Sequence, residues 1–364
     1  MARRSRWSEL PVFPWLAALV SLTVVLLLTG FALLGLRALD ISTNRILEER
    51  LILAEMAASQ IDALVQQAFN ELLKATTFAP FDPIADDLSS EYHMLAHSYG
   101  RIGTMTLGVY FLDRQGKVVL AEPPEAVSLD SVLQPIRNSF SQPGGRMVSE
   151  PFVEPRTGHP AVAVTIAVRS KDGEISSYLS GLIDLSNPLI TGALGSALRL
   201  GHTGHAELVT SEGIAIASTS PGTFLHPGEH QTFYRTNLTV QRTKAIETVP
   251  YELNGVFTQE NHIMAIVPLS AGNWGLALGG DETETMAPVT SLRRNLLFSG
   301  LVMLAVTLGI TLWGTRRIVR PVLLLTRRAT AMADGDLVTP IKINAGGEVG
   351  VLAKAFNEMR EHLL

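Results

Sequence analysis

Two long stretches of this chain carry no charged side chain, and they limit its fold more than any other feature. One runs 26 residues from Pro11 to Leu36, the other 21 residues from Asn295 to Thr315. About 20 consecutive apolar residues cross the hydrocarbon core of a bilayer as a helix. Lipid gives backbone groups no water to bind, so such segments must be helical there. Residues 11–36 and 295–315 therefore read as two membrane helices. A cleaved signal peptide is the other reading of the first stretch. Its apolar region is too long for that, and no small-x-small site follows it. Composition agrees: the chain is 46% hydrophobic but only 6% aromatic, with a mean hydropathy of +0.24.

Flanking Lys and Arg set the orientation. Arg3, Arg4 and Arg6 precede the first stretch, and Arg316, Arg317, Arg320, Arg327 and Arg328 follow the second. They outnumber Arg37, Arg293 and Arg294 on the opposite flank, so both termini are expected in the cytoplasm. Residues 1–10 form a cytoplasmic N-terminus in this reading, and the middle of the chain lies outside, at the plasma (inner) membrane. Trp7, Trp15 and Trp313 stand near the span ends, where indoles favour the interface. Between Arg37 and Arg293 there are 17 basic and 28 acidic residues, a net charge of −11, while the rest of the chain is +6. Such asymmetry suggests two compartments. The overall charge of −5 argues against a nucleic-acid partner. With no cysteine, disulfides, zinc–thiolate sites and thiol chemistry are excluded.

Past the first span, Leu47, Leu51, Ala54, Ala58, Ile61, Val65, Ala68 and Leu72 recur at spacings of four and three. That is a heptad seam on one long helix. Either the chain's own lobes or a second copy must cover it, and its narrowness favours a dimer. Pro80 and Pro83 end the helix, and a shorter one follows around Asp86–Tyr99. A hairpin is predicted at 107–120 with its turn at Asp113–Gly116, then a helix near Ser128–Phe140. Strands follow at 145–149, 161–169 and 177–185. A shorter second unit repeats the pattern, with a hairpin at 206–217 and strands at Glu252–Thr258, His262–Leu269 and Trp274–Gly279. Antiparallel sheets with helices to one side make the class α+β.

The order of Val109-Tyr-Phe-Leu-Asp-Arg-Gln-Gly-Lys-Val-Val, Val148-Ser-Glu-Pro-Phe, Leu179-Ser-Gly-Leu-Ile-Asp-Leu, Gly201-His-Thr-Gly-His and Asn273-Trp-Gly-Leu resembles the double Cache sensor domain. The resemblance implies a long helix carrying two PAS-like lobes over residues 37–288, a membrane-distal one at about 80–190 and a proximal one at about 191–288. The C-terminal residues 316–364 resemble a HAMP relay. The matching residues are Pro321, Leu325, Gly335-Asp336, Glu348, Phe356 and Met359. HAMP modules are parallel bundles formed by two copies, which implies a homodimer; two short amphipathic helices bury too little core alone.

Most motif-like features carry no chemistry. Gly346-Gly-Glu-Val-Gly350 looks like a cyclase signature, but only 14 residues follow it. His93 and His97, four apart, read as a solvated helix face, and metal binding by His226 and His230 is less favoured still, so no metal is expected. Asn237-Leu-Thr239 is a glycosylation sequon of a kind common by chance. No nucleotide loop, nucleophile elbow or kinase hallmark appears, and no catalytic residue or cofactor is expected within these residues. What remains is ligand binding. Resemblance to amino-acid-binding double Cache sensors implies a pocket in the distal lobe, with Tyr110 and Asp184 at matching places. The R-x-W-Y element of those sensors is absent near Gln134-Pro-Ile-Arg137, and Phe152 stands for their second Tyr. The candidate ligand residues are Tyr110, Phe152, Tyr178 and Asp184, with Arg137 or Arg146 as further lining, and an amino acid is not the expected ligand. Asp184 as a strand-end cap and Tyr110 as a core ring are the plainer readings.

The resemblance implies a transmembrane receptor: an unknown small molecule outside, relayed through HAMP to an output module inside. A sensor histidine kinase is the leading output, with a methyl-accepting chemoreceptor or a cyclase as alternatives. A non-enzymatic scaffold that binds a protein is the rival of another class. Either the chain is truncated at Leu364 or it acts through a partner.

Overall fold

A computed structural model describes residues 12–99, 101, 103, 105–124, 130–139, 145–170, 172–220, 222, 224–253, 256–341 and 346–363. Arg3, Arg4, Arg6 and Trp7 lie outside that set. The chain forms two compact units, Ser42–Pro288 and Met1–Ile41 with Val289–Leu364. Helix α1 (Val12–Phe78) contributes residues to both.

In the Ser42–Pro288 unit, the heptad residues Ala54, Ala58, Ile61, Val65, Ala68 and Leu72 of α1 are all buried. They share one core with strands from two sheets. Ala57, Phe69 and Ala75 are buried beside them and widen the stripe to a globular helix face. The chain's own sheets therefore cover the seam, which corrects the expectation that its narrowness calls for a second copy. After α2 (Ser89–Ser98), the first lobe is built from β1 (Gly108–Asp113), β2 (Val118–Glu122), β3 (Arg146–Val148), β4 (Phe152–Val153), β5 (Pro160–Arg169) and β6 (Ile175–Asp184). Helix α3 (Asp130–Ser139) lies between β2 and β3 in sequence. The antiparallel order is β2-β1-β6-β5-β3, with β4 also on β5. Val109, Phe111, Val164, Leu179 and Ile183 pack in the core with α1. The alternate residues Tyr110, Leu112, Ala163 and Leu182 pack with Leu133 and Ile136 of α3. A sheet buried on both faces explains why these strands read as nearly unbroken apolar runs.

Helix α4 (Pro188–Leu194) leads to the second lobe, with the Asn187 side chain accepting from the Leu189 backbone N–H at its start. The second sheet comprises β7 (His205–Thr210), β8 (Ala215–Ser218), β9 (Ala245–Leu253), β10 (Val256–Pro268) and β11 (Trp274–Asp281), in the antiparallel order β8-β7-β11-β10-β9. Helix α5 (Gln231–Arg235) runs on as a π-helical stretch, Thr236–Gln241, against one face. Helix α6 (Glu282–Thr285) follows β11. The single strand expected at Glu252–Thr258 is instead the end of β9 and the start of β10, which pair back on each other with Leu253 opposite Val256. Proline lacks a ladder donor and is confined to edges. Pro250 hid β9 as a strand, and it sits on the sheet's edge strand.

The other unit contains α7 (Ala287–Gly314), a π-helical turn at Thr315–Val319, α8 (Arg320–Ala333) and α9 (Gly347–Leu363). Residues Val20–Phe78 and Ala287–Ala333 include windows long and apolar enough to cross a membrane, with 6% and 0% of the window buried. A Cβ at Gly35 would lie 3.5 Å from Leu296, and one at Gly300 3.3 Å from Phe31, so small residues set the approach of the two apolar helices. The Arg317 guanidinium lies 5.5 Å over the Trp313 ring.

Candidate functional site

Period-two alternation brings the four expected ligand residues to one face of the first sheet. Tyr110 pairs with Ser180, and Tyr178, Ser180, Leu182 and Asp184 alternate along β6. Phe152 pairs with Ala161, which pairs in turn with Asp184. Tyr110, Phe152 and Tyr178 share one buried apolar cluster with α3. The Tyr110 hydroxyl is fully buried and has no hydrogen-bond partner among the described residues. Burial, then the nearby Glu154 carboxylate, pushes its pKa up, so the hydroxyl keeps its proton and stands as an unused donor. Glu154 itself is satisfied, accepting from the Arg156 and Thr157 backbone N–H groups and the Thr157 hydroxyl. Beside Tyr110, Thr165 and Ser180 share a hydroxyl hydrogen bond of 2.9 Å.

Asp184 is engaged locally. Its carboxylate accepts from the Ser186 N–H and hydroxyl and lies 2.9 Å from His159 Nδ1. That is the geometry of a strand-end cap. Arg137 donates to the Gly116 carbonyl. Arg146 is on the α1 side, donating to Gln66 Oε1 and lying over Phe69. There it lines a cleft of about 720 Å³ between the lobes, with Ser149, Arg242 and Asn273.

The HAMP-like residues form a small structure of their own. Pro321 sits in the first turn of α8, directly after the π-helical turn. Leu325 is buried with Ile341 and Ala353, and Met332, Val349 and Phe356 pack around them. Gly335 ends α8 at φ +102°, and Asp336 accepts from the Thr339 hydroxyl. Glu348 lies in the first turn of α9, and Met359 is exposed.

His93 and His97 are exposed on α2, as expected of a solvated face. Asn237 is buried and donates its amide to the Phe233 carbonyl, so the sequon's nitrogen is enclosed. Sequence reasoning missed a third grouping, in the second lobe. His230 meets His205 and His262, not His226, with one ring nitrogen of each within 4.8 Å of the others. Burial, then the other histidines, lowers His230 to about 3; burial and His205 lower His262 to about 4. Glu207 beside them is raised to about 7 by burial and by Glu229. These residues are separated by 25 and 32 positions, and only strand order brings them together. The one local signal was that His205 and His262 open or interrupt apolar strands.

Residues 39–289 match the Cache domain family, and residues 313–364 match the HAMP domain family. The methyl-accepting chemotaxis protein PctB of Pseudomonas aeruginosa is 26% identical over 244 residues, covering 63% of this chain and 35% of that protein. The match thus spans about a third of that relative's length. Among solved structures, the extracellular domain of rpHK1S-Z16, a candidate histidine kinase, superposes with a TM-score of 0.53 at 13% identity, over 68% of this chain and 98% of that one. The ligand-binding domain of the Pseudomonas fluorescens chemoreceptor CtaA, in complex with L-isoleucine, gives 0.49 at 15% identity, over 68% and 97%.

Proposed function

The chain belongs to the Cache-domain family and carries a HAMP domain, and from that premise we propose that it is the input part of a membrane-spanning receptor for a small molecule. One observation carries this reading: the order of parts along the chain. An apolar helix precedes the Cache region, a second follows it, and the HAMP region comes directly after. The arginines at 316, 317, 320, 327 and 328 favour a cytoplasmic HAMP region and an external Cache region.

The ligand is held on the first-lobe face, with Tyr110 as donor and Phe152 and Tyr178 as walls. Asp184 enters only by giving up Ser186 or His159. The Tyr110 hydroxyl supports this reading, because a buried donor without a partner costs about 1–3 kcal/mol unless something accepts from it. Ligand binding shifts the population of two HAMP packings, which requires unequal affinity for them. A second copy completes the relay. Leu324, Val351, Leu352, Met359 and Leu363 are exposed on α8 and α9, and among the described residues Leu325 shares a buried core with Ile341 and Ala353. For the output, similarity to PctB favours a methyl-accepting hub over the kinase preferred on the resemblance alone.

Two measurements test this on the full chain in nanodiscs or cells. The chain has no cysteine, so Glu212→Cys and Glu358→Cys each give one labelling site. An impermeant maleimide applied to intact cells should label Glu212→Cys and spare Glu358→Cys; the reverse pattern overturns the topology. A metabolite screen by thermal shift should find one stabilising compound class whose effect is lost in Tyr110→Phe. Stabilisation that survives Tyr110→Phe would remove the first-lobe face as the site.

A further inference from the structure

The second lobe holds a cluster that the ligand reading does not use. His205 opens β7, His230 precedes α5 and His262 lies in β10, and all three are buried. Strand β11 runs between β7 and β10 and places Gly279 opposite His205 on one side and Met264 on the other. The His205 and His262 rings come within 5.2 Å, centroid to centroid, across the strand. His230 stacks on His205 at 5.8 Å and 20°.

Hydrogen bonds fix where the lone pairs point. Nδ1 of His205 lies 3.1 Å from the Thr203 carbonyl, and Nδ1 of His230 lies 3.1 Å from the Pro250 carbonyl. A carbonyl can only accept, so each Nδ1 carries a proton, and in a neutral ring Nε2 is then left as a lone pair. His205 Nε2 is buried and makes no hydrogen bond, yet it lies 3.3 Å from Glu229 Oε2. A lone pair facing a carboxylate repels it, so a proton or a metal ion is needed between the two atoms. His230 Nε2 sits 3.2 Å from His262 Nδ1. Ligand atoms about 2.0–2.1 Å from a tetrahedral ion are roughly 3.3 Å apart. Both observed separations therefore match the edge of such a tetrahedron.

The surroundings fit the same chemistry. Glu207 accepts from the Glu229 N–H and the Tyr234 hydroxyl, which holds the Glu229 loop in place as a supporting carboxylate does behind a metal ligand. Its Oε1 has no partner, and no lysine or arginine pairs with Glu207 or Glu229 among the described residues. Glu229 thus faces the His205 imidazole, while Glu207 holds the Glu229 N–H and the Tyr234 hydroxyl. Calcium and magnesium seek oxygen ligands, whereas imidazole suits borderline divalent ions.

We propose that the second lobe binds one divalent first-row transition ion of the zinc class through His205 Nε2, His230 Nε2, His262 Nδ1 and Glu229 Oε2. The ion cross-links the loop before α5 to β7 and β10. The rival is a metal-free cluster held by hydrogen bonds, with a proton between His205 and Glu229. This proposal does not depend on the first-lobe ligand, so either can fail without the other.

The test uses the full chain in nanodiscs, carrying a tag without histidine, stripped with chelator, loaded with Zn²⁺ and desalted. Mass spectrometry of the metal should find one Zn²⁺ per chain, and Co²⁺ in its place should show the intense visible bands of a four-coordinate site. His262→Ala should weaken Zn²⁺ by more than the roughly 10–100-fold that a supporting residue costs. His93→Ala, at an exposed position, should bind as the parent does. Should His262→Ala misfold, the isosteric Glu229→Gln serves in its place, with lower affinity at unchanged helix content. Retention well below one ion per chain, weak six-coordinate Co²⁺ bands, or affinity unmoved by the substitution that folds would each overturn the proposal.

Discussion

Replacing Tyr110 by Phe should stabilise the ligand-free first lobe, which is an unusual outcome for a change at a fully buried residue. The ring stays where it packs, among Leu112, Leu133, Ile136 and Leu182. Only the hydroxyl is lost, and it has no partner among the described residues. A buried polar group without a hydrogen bond costs about 1–3 kcal/mol, so its removal should return about that amount. The void left by one oxygen offsets a small part of the gain. Hydrogen exchange reads the effect locally, since β1 and β6 hold the hydroxyl's surroundings. At about 1.4 kcal/mol per factor of ten, amides of Val109–Leu112 and Leu179–Leu182 should exchange roughly 5- to 150-fold more slowly in Tyr110→Phe. The same variant should lose the thermal shift that ligand gives the parent. Faster exchange in Tyr110→Phe without ligand would show that the hydroxyl is already satisfied, by water or otherwise. That result would refute both the stability argument and the case for an unused donor.

Three further perturbations probe the second lobe and its exit. Arg50 of α1 is buried and donates to the Thr285 hydroxyl and the Ile263 carbonyl, so Arg50→Met should cost about 1–3 kcal/mol and speed exchange at 282–285, the refund in desolvation limiting the loss. A Cβ on Gly279 would meet the Ile263 carbonyl oxygen at 2.2 Å, so Gly279→Ala should cost about 3 kcal/mol or more and abolish the near-UV signal of buried Trp274. Glu284 accepts from the His202 and Thr203 N–H groups and from the Thr203 hydroxyl; that hydroxyl bond, first among the causes, holds its pKa down at about 2. Its contribution is therefore full above the unfolded value of 4.5 and is lost as pH falls through about 2, and Glu284→Gln should flatten the acid limb of a stability profile.

Features set by local spacing were legible in the sequence. The seam from Ala54 to Leu72 is a repeat along one helix, whereas Tyr110, Tyr178 and Asp184 share a face through the register of two strands, and only the resemblance pointed to that face. What covers the seam was not legible, because Ala57, Phe69 and Ala75 are small or isolated apolar residues whose burial depends on the sheets above them. Reading Glu252–Thr258 as one strand passes over the Asn254-Gly255 pair, a strong hairpin signal, because Pro250 breaks the pattern of β9 before it. The histidine cluster was illegible for a deeper reason. Its members come from three elements whose adjacency follows from the order β7-β11-β10, and no spacing along the chain encodes that order.

The π-helical turn at Thr315–Val319 gives the junction between α7 and α8 two possible windings. A π turn takes in one residue more than an α turn. Rewound as α, it would pass that residue on, turning everything downstream by about 100° and advancing it about 1.5 Å. Leu325, Ile341 and Ala353 all lie downstream and would turn as one, so their small core would keep its packing while its direction changed. Thr307, Thr311 and Thr315, whose hydroxyls each donate to the carbonyl four residues earlier, form a ladder that stops at this turn. A single backbone slip at that point is thus a phase change for the whole HAMP segment, made without stretching the helix before it.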